Sequence, residues 1–294
     1  MTDHELQAAR HHKWRTDGHP IRTLEDARDF IQSVGFCLMY AQKPALLAPT
    51  FLGAYLGSDS GVPEWQHAFR HPKSGEATEL MVRLLRERTA YEANLLGENN
   101  FLLSAEVFPF FYALLGDRNP KQDPQKSRGE KLSPLAQDVF SAIQRDGPLF
   151  KHRLAEVLGG GPSPAALDRA LGELWSRLKI TRVDYKPQEG AAWDVMYRWS
   201  SDAVQEGVKL SVGEALSALI SKYLDSVVAA ELADIEGFFS PMVSRSRVRE
   251  AVNALLAARE FSFISVGRRT LIQLTPPASA VPRIPGKALS RKPA

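Results

Sequence analysis

The sequence predicts a mainly α-helical protein with small β-hairpins, of the α+β class. Within its 294 residues, two stretches each show three short helical periods followed by a period of two. The first stretch covers residues 133–200. Ser133-Pro134 and Ser163-Pro164 are typical helix starts, with a capping serine and a proline at the first helical position. Alternating apolar residues over 181–185 and 193–199 then predict a two-stranded hairpin.

A second copy of this order covers residues 208–275. Ser211 and Glu214 have the spacing of a capping box, which starts a helix 78 residues after the one at Ser133. Ser240-Pro241 is expected to open the third helix, 77 residues after Ser163. Gly267-Arg268 suits the turn of a closing hairpin. The shared order therefore predicts an internal repeat.

Three helices followed by a hairpin is the winged-helix order, in which the third helix enters a DNA major groove and the hairpin is the wing beside it. The sequence thus predicts tandem winged-helix (helix-turn-helix) units at residues 133–200 and 208–275. The Pro-containing polar segment 117–132 is expected to be a linker. The Pro-rich segment 276–294, which has basic residues and no acidic ones, is expected to be a disordered tail.

Residues 21–116 form the remaining ordered domain. Thr23, followed by Glu25 and Asp26, is expected to start a helix. Residues 78–96 are expected to form a longer helix, and the aromatic stretch 101–115 favours the domain core over a ligand pocket. The polar residues 1–20 include four histidines, whose spacing fits no metal pair and favours a flexible arm.

Composition narrows the function classes. Hydrophobic residues make up 44% of the chain, and no apolar run approaches the roughly 20 residues that a membrane-spanning helix needs. The single cysteine, Cys37, cannot form an internal disulfide, which fits a reducing cytoplasm. The sequence has no phosphate-binding loop, dinucleotide fingerprint or zinc motif, so no metal and no cofactor is expected.

Positive charge is clustered at two places in the second copy, residues 208–275. Its third helix starts with arginines and no intervening acid, its wing tip carries two more, and no acidic residue follows Glu260. This pattern indicates a track for DNA phosphates. The expected contacts there are Ser244, Arg245, Ser246, Arg247, Arg249, Arg268 and Arg269. In the first copy Arg169 and Arg177 are candidates too, but Asp168 and Glu173 beside them would also suit a protein partner.

The tandem order, together with the segments 101–104 (FLLS) and 108–114 (FPFFYAL), resembles the YcaQ/AlkZ DNA glycosylases, a family of winged-helix DNA-binding proteins. The resemblance implies three winged-helix units in a C-shape around DNA, so that residues 21–116 would be a divergent first unit. Enzymes of that family excise alkylated or cross-linked bases and use a Gln-x-Gln motif to position water. No Gln-x-Gln occurs in this chain. In the corresponding region, residues 36–42, Gln42 is the only glutamine.

These observations support two hypotheses and leave a third open. The first is a non-catalytic or regulatory protein that holds double-stranded DNA and has no catalytic residue. The second is a DNA repair glycosylase with a divergent active site. The third is a scaffold whose winged helices contact protein partners. The sequence does not determine the oligomeric state.

Overall fold

The computed structural model describes residues 1–41, 45–60, 63, 71–96, 99–122 and 131–276. It is an α+β protein in which short helices surround small antiparallel sheets. The tail 277–294, residues 123–130 of the predicted linker and Gln42 lie outside the described residues.

The described residues of the N-terminal part form two helices, a strand, two further helices and a hairpin, followed by one more helix. Thr23 caps the second helix with Asp26 in a capping box, as the sequence predicts. The elements are α1 (Asp3–Lys13), α2 (Leu24–Val34), β1 (Phe36–Leu38), α3 (Phe51–Leu56), α4 (Ser74–Arg86), β2 (Ala90–Leu96), β3 (Asn99–Ser104) and α5 (Phe108–Leu115).

The middle part starts at Ser133 and has its own core. Ser133 and Ser163 cap their helices by accepting the backbone N–H three residues on, which confirms both predicted starts. Its elements are α6 (Pro134–Asp146), β4 (Leu149–Phe150), α7 (Lys151–Val157), α8 (Pro164–Trp175), β5 (Ile180–Lys186), β6 (Gly190–Val195), α9 (Met196–Trp199) and α10 (Ser201–Lys209).

The C-terminal part starts with the Ser211–Glu214 capping box. Its hairpin strands pair from Phe261↔Leu274 to Val266↔Arg269, and Ala230 pairs with Ile272 on the outer edge. Its elements are α11 (Val212–Val227), α12 (Leu232–Phe239), α13 (Arg245–Ala257), β7 (Phe261–Val266) and β8 (Arg269–Leu274).

Residues 3–13 are a helix, so the predicted flexible arm is wrong for this segment. Thr2 and Glu5 form a capping box at its start. Leu6 is buried, and the Arg10 guanidinium donates to the carbonyls of Val227 (2.9 Å) and Ala229 (2.6 Å) at the end of α11. Apolar burial and satisfied backbone carbonyls order the segment against the C-terminal part.

The helix expected over 78–96 ends at Arg86, and residues 90–96 form β2. Arg88 has a φ of +58°, which a helix does not accommodate. Both faces of β2 are covered: Tyr91 lies in the aromatic core, and Glu92 on the opposite face is buried against the middle part. A strand buried on both faces lacks the apolar–polar alternation that would have identified it.

Two further boundaries differ from prediction. The third C-terminal helix starts at Arg245 rather than at Ser240-Pro241, because the Ser240 N–H donates to Glu236 O and still belongs to the end of α12. Strand β6 ends at Val195, and residues 196–199 turn into α9, where Arg198 donates to Asp194 and to the carbonyls of Ile143 (2.8 Å) and Gln144 (2.9 Å).

The largest core joins the N-terminal and C-terminal parts. Phe238 of α12 lies 5.4 Å from Phe36 and 5.7 Å from Phe101 between ring centroids, and Tyr223 of α11 lies 5.0 Å from it. Helix α5 packs on α10 and α11. The aromatic stretch 101–115 is therefore core, as the sequence predicts, but it also forms the joint between the two ends of the chain.

A second joint connects the N-terminal and middle parts. Arg86 on α4 pairs with Asp184 on β5 at 2.6 Å. The Trp175 Nε1 donates to Glu92 O at 3.0 Å, and the Arg182 guanidinium pairs with the Glu92 carboxylate at 2.8 Å. Consequently helices α4 and α8 are both partly covered where these parts meet.

Candidate nucleic-acid interface

Helix α13 presents the predicted arginines to solvent. Its buried face is formed by Val248, Val252 and Leu255, so the side chains at 245, 247 and 249 point outward and are exposed. Arg245 and Arg247 have no carboxylate partner in the described part of the chain. These two guanidinium groups are therefore free to bind an anion.

The start of α13 is built differently from those of α6, α8 and α11, whose N-cap serines accept a hydrogen bond from the helix backbone. Ser244 has the extended backbone of an N-cap, but its side chain accepts no hydrogen bond from the helix and lies 3.1 Å from the Ser246 hydroxyl instead. The first turn contains no acid. Cations are unfavourable at the positive end of a helix dipole, so this turn costs stability unless an anion binds there.

Arg249 is held by its neighbour. Its guanidinium contacts the Glu236 carboxylate at 2.8 Å, and Glu236 is only 12% exposed. The structure thus brings the five predicted residues of α13 together but engages Arg249 within the protein. Sequence reasoning missed this pair because Glu236 lies on another helix.

The β7–β8 hairpin, predicted to be a wing, carries one free arginine and one paired arginine. Arg268 is exposed and has no ion partner within the described residues. Arg269 pairs with Asp3 of α1 and has Glu231 at 3.9 Å. Phe263, on the same hairpin, is 65% exposed. No sequence signal distinguishes this exposed aromatic residue from its buried neighbour Phe261.

The two middle-part candidates differ in exposure. Arg169 is exposed and has no ion partner among the described residues. The neighbouring carboxylate of Asp168 pairs with Lys151 at 2.5 Å instead. Arg177 is half-buried, and its Nη1 is buried without a hydrogen-bond partner in the described structure. The structure therefore does not bring Arg177 onto an open surface with Arg169.

Strand β1 covers the first three residues of the segment 36–42, where the resemblance implies the Gln-x-Gln motif. Phe36, Cys37 and Leu38 are all buried, and burial raises the pKa of the Cys37 thiol far above its ordinary value. Tyr40, just beyond the strand, contacts the Thr78 hydroxyl at 3.2 Å, and burial raises the pKa of its phenol.

Among the residues that the structure describes, no three His, Cys, Asp or Glu side chains converge to hold a metal ion. Within the same residues, no helix has the length and apolar character needed to cross a bilayer.

Comparison with known proteins identifies the family. The model of the AlkZ-like DNA glycosylase family matches residues 59–290. A search of curated proteins by sequence finds no match. The solved structure of the Streptomyces sahachiroi DNA glycosylase AlkZ aligns with a TM-score of 0.60 at 13% identity, covering 94% of this chain and 70% of that one. Because the family match spans more than half of the sequence, the chain belongs to the AlkZ-like DNA glycosylase family.

Proposed function

We propose that this protein binds double-stranded DNA and acts as a DNA repair glycosylase on alkylated or cross-linked bases. The structural observation that carries the proposal is the start of α13, an uncapped helix end with two unpaired arginines. An anion at this position would relieve the repulsion between the guanidinium groups and the helix dipole. Family membership supports DNA as the source of that anion.

The proposal includes three winged-helix units, and the repeated element order supports them. Each part contains a helix, a short strand or bridge, two helices and a hairpin, with the first strand pairing to the last. In each part a non-glycine residue with positive φ follows the third helix: Arg88, Leu178 and Arg259. In every case the next residue donates its N–H to the carbonyl five positions back.

Within this arrangement α13 and its wing would make the main phosphate contacts. The third helices α4 and α8 meet at the joint that Glu92 and Arg182 form, which leaves less of their surface open. Helix α13 has no such cover on its arginine face. Arg245, Arg247 and Arg268 would bind phosphates, and Ser244 and Ser246 would add hydroxyl donors.

A second candidate function is DNA binding without base excision. The buried apolar side chains of β1 favour it, because the resemblance implies a Gln-x-Gln motif in this region. The family match begins at residue 59, beyond β1, so it does not cover the strand. Under the glycosylase proposal, a group elsewhere in the chain must position the attacking water.

One experiment with two readouts separates the candidates. The purified protein is incubated with alkylated duplex DNA, and abasic sites are detected by strand cleavage in alkali. Duplex affinity is measured in parallel between 50 and 200 mM salt. Three phosphate contacts would weaken binding about 40-fold over this range.

The outcomes are distinct. Salt-dependent binding with abasic sites supports the glycosylase proposal, whereas salt-dependent binding without abasic sites supports the second candidate. Binding that is absent or independent of salt would contradict both functions.

A further inference from the structure

Helix α1 is anchored on the C-terminal part by its middle and end. Leu6 is buried in a cluster with Ala229, Val266 and Leu271. Arg10 donates to two carbonyls at the end of α11, and the Trp14 Nε1 donates to Ser226 O at 2.8 Å. These contacts fix where the first turn of α1 lies.

The first turn brings Asp3 to the tip of the proposed wing, where its carboxylate pairs with Arg269. The turn residue Gly267 has a φ of +59°, and a Cβ built on it would lie 2.7 Å from Asp3 Oδ2. A Cβ at Gly267 would therefore displace this exposed carboxylate. The positive φ by itself favours glycine at this position.

The ion pair changes the charge that the wing shows to DNA. Arg269 faces Asp3 directly and Glu231 at 3.9 Å, so two carboxylates surround one guanidinium group. Arg268 beside it is exposed and has no ion partner among the described residues. A wing tip that the sequence shows as doubly basic therefore has one unpaired cation in the folded protein.

The pair is accessible to a competitor. The side chain of Asp3 is 60% exposed and that of Arg269 is 47% exposed. Exposed ion pairs are weak and exchange readily. Because Leu6 and Arg10 hold α1 from the next turns, Asp3 can leave Arg269 without releasing the helix.

We propose that Asp3 is an internal substitute for a DNA phosphate, which occupies Arg269 in the free protein and is displaced when duplex DNA binds. The inference rests on the proposed binding of duplex DNA and adds regulation to that surface. Asp3 lowers the affinity for any duplex, because each phosphate that reaches Arg269 must first replace a carboxylate.

The test compares Asp3→Asn with the matched variant Glu5→Gln. Both remove one negative charge from the same helix turn, and glutamine keeps the capping box that Glu5 forms with Thr2. We expect Asp3→Asn to bind a duplex about two- to fivefold more tightly at 50 mM salt, or about 0.4 to 1 kcal/mol. Glu5→Gln should differ little from the wild type, and the gain should shrink as salt rises.

Repeating the comparison in a protein that lacks Arg269 shows whether the gain in duplex affinity depends on the Asp3–Arg269 ion pair. In Arg269→Ala protein, adding Asp3→Asn should give no gain beyond that of Glu5→Gln. An equal gain in both backgrounds, or equal gains from Asp3→Asn and Glu5→Gln, would overturn the inference while leaving duplex binding intact. If neither the wild type nor Asp3→Asn binds a duplex, the proposed function fails as well. Thermal unfolding of each variant verifies that the fold is retained.

Discussion

At the scale of single residues, Glu92 shows how the joint between the N-terminal and middle parts is stabilised. Its side chain is 2% exposed, its carboxylate pairs with Arg182, and its carbonyl accepts from Trp175 and from the Thr181 hydroxyl. Burial raises the pKa of Glu92, and Arg182 opposes this shift. The Arg182 guanidinium also lies 4.4 Å from the ring centroid of Trp175.

The raised pKa of Glu92 predicts a pH effect on stability. The folded protein binds this proton more tightly than the unfolded chain, whose glutamate pKa is about 4.3. The stabilisation is therefore complete below about pH 4 and is lost as the pH rises through the folded-state pKa. Urea unfolding of the wild type and Glu92→Gln should show their free-energy difference falling with pH, by at most about 1.4 kcal/mol per pH unit.

The control for this measurement is Glu206→Gln, which removes an exposed carboxylate on α10. Its free-energy difference from the wild type should stay nearly constant over the same pH range. If the difference for Glu92→Gln instead grows with rising pH, Arg182 outweighs burial and the predicted sign is wrong.

At the scale of elements, α13 has the apolar buried face of an ordinary core helix. Its first turn, in contrast, carries arginines and no acid, which is unfavourable next to the positive end of the helix dipole. Helices usually place acids in the first turn, as α1, α2 and α11 do. A departure from local preference of this kind is expected at functional sites. The sequence shows the arginines, whereas the missing cap bond and the Arg249–Glu236 pair required the structure.

The double variant Arg245→Ala/Arg247→Ala tests the role of this turn. We expect it to bind all duplex sequences about 10- to 100-fold more weakly, because phosphate contacts do not distinguish bases. The slope of log affinity against log salt should fall in magnitude by about 2. Fluorescence anisotropy over a salt series provides both values.

Arg249→Ala is the matched control, since it removes the same charge from the same helix where Glu236 already engages it. Its effect on affinity should be smaller than that of either free arginine. Unchanged affinity in the double variant would remove α13 from the interface.

The element boundaries show what sequence reasoning can and cannot predict. Caps at Thr23, Ser133, Ser163 and Ser211 are local, and all four are confirmed. The start at Ser240 failed because Ser-Pro also follows the end of a helix, and the length of α12 decides between the two. Strand β2 was missed because its second face is covered by residues some 90 positions later.

At the scale of the whole molecule, the two ends of the chain share one aromatic core. Phe238 contacts Phe36 and Phe101 from the N-terminal part and Tyr223 and Phe239 from the C-terminal part. The sequence predicts the stretch containing Phe101 as core but provides no signal for contacts across 200 positions. The parts are therefore expected to unfold together.

Phe238→Ala tests this coupling. Loss of a fully packed ring should lower the free energy of unfolding by about 3–5 kcal/mol. Urea unfolding followed by circular dichroism should show the N-terminal and C-terminal parts losing structure in one transition. Phe263→Ala, which removes a ring that is 65% exposed, should change stability by less than about 0.5 kcal/mol.

The docking of α1 has a consequence for synthesis on the ribosome. Arg10 and its acceptor Ala229 are 219 positions apart. Translation proceeds from the N-terminus, so the first helix emerges long before its partners exist. Leu6 and Trp14 cannot make these contacts until residues 226–271 have been made. Closure of this contact is therefore expected to be among the slowest steps in reaching the native state.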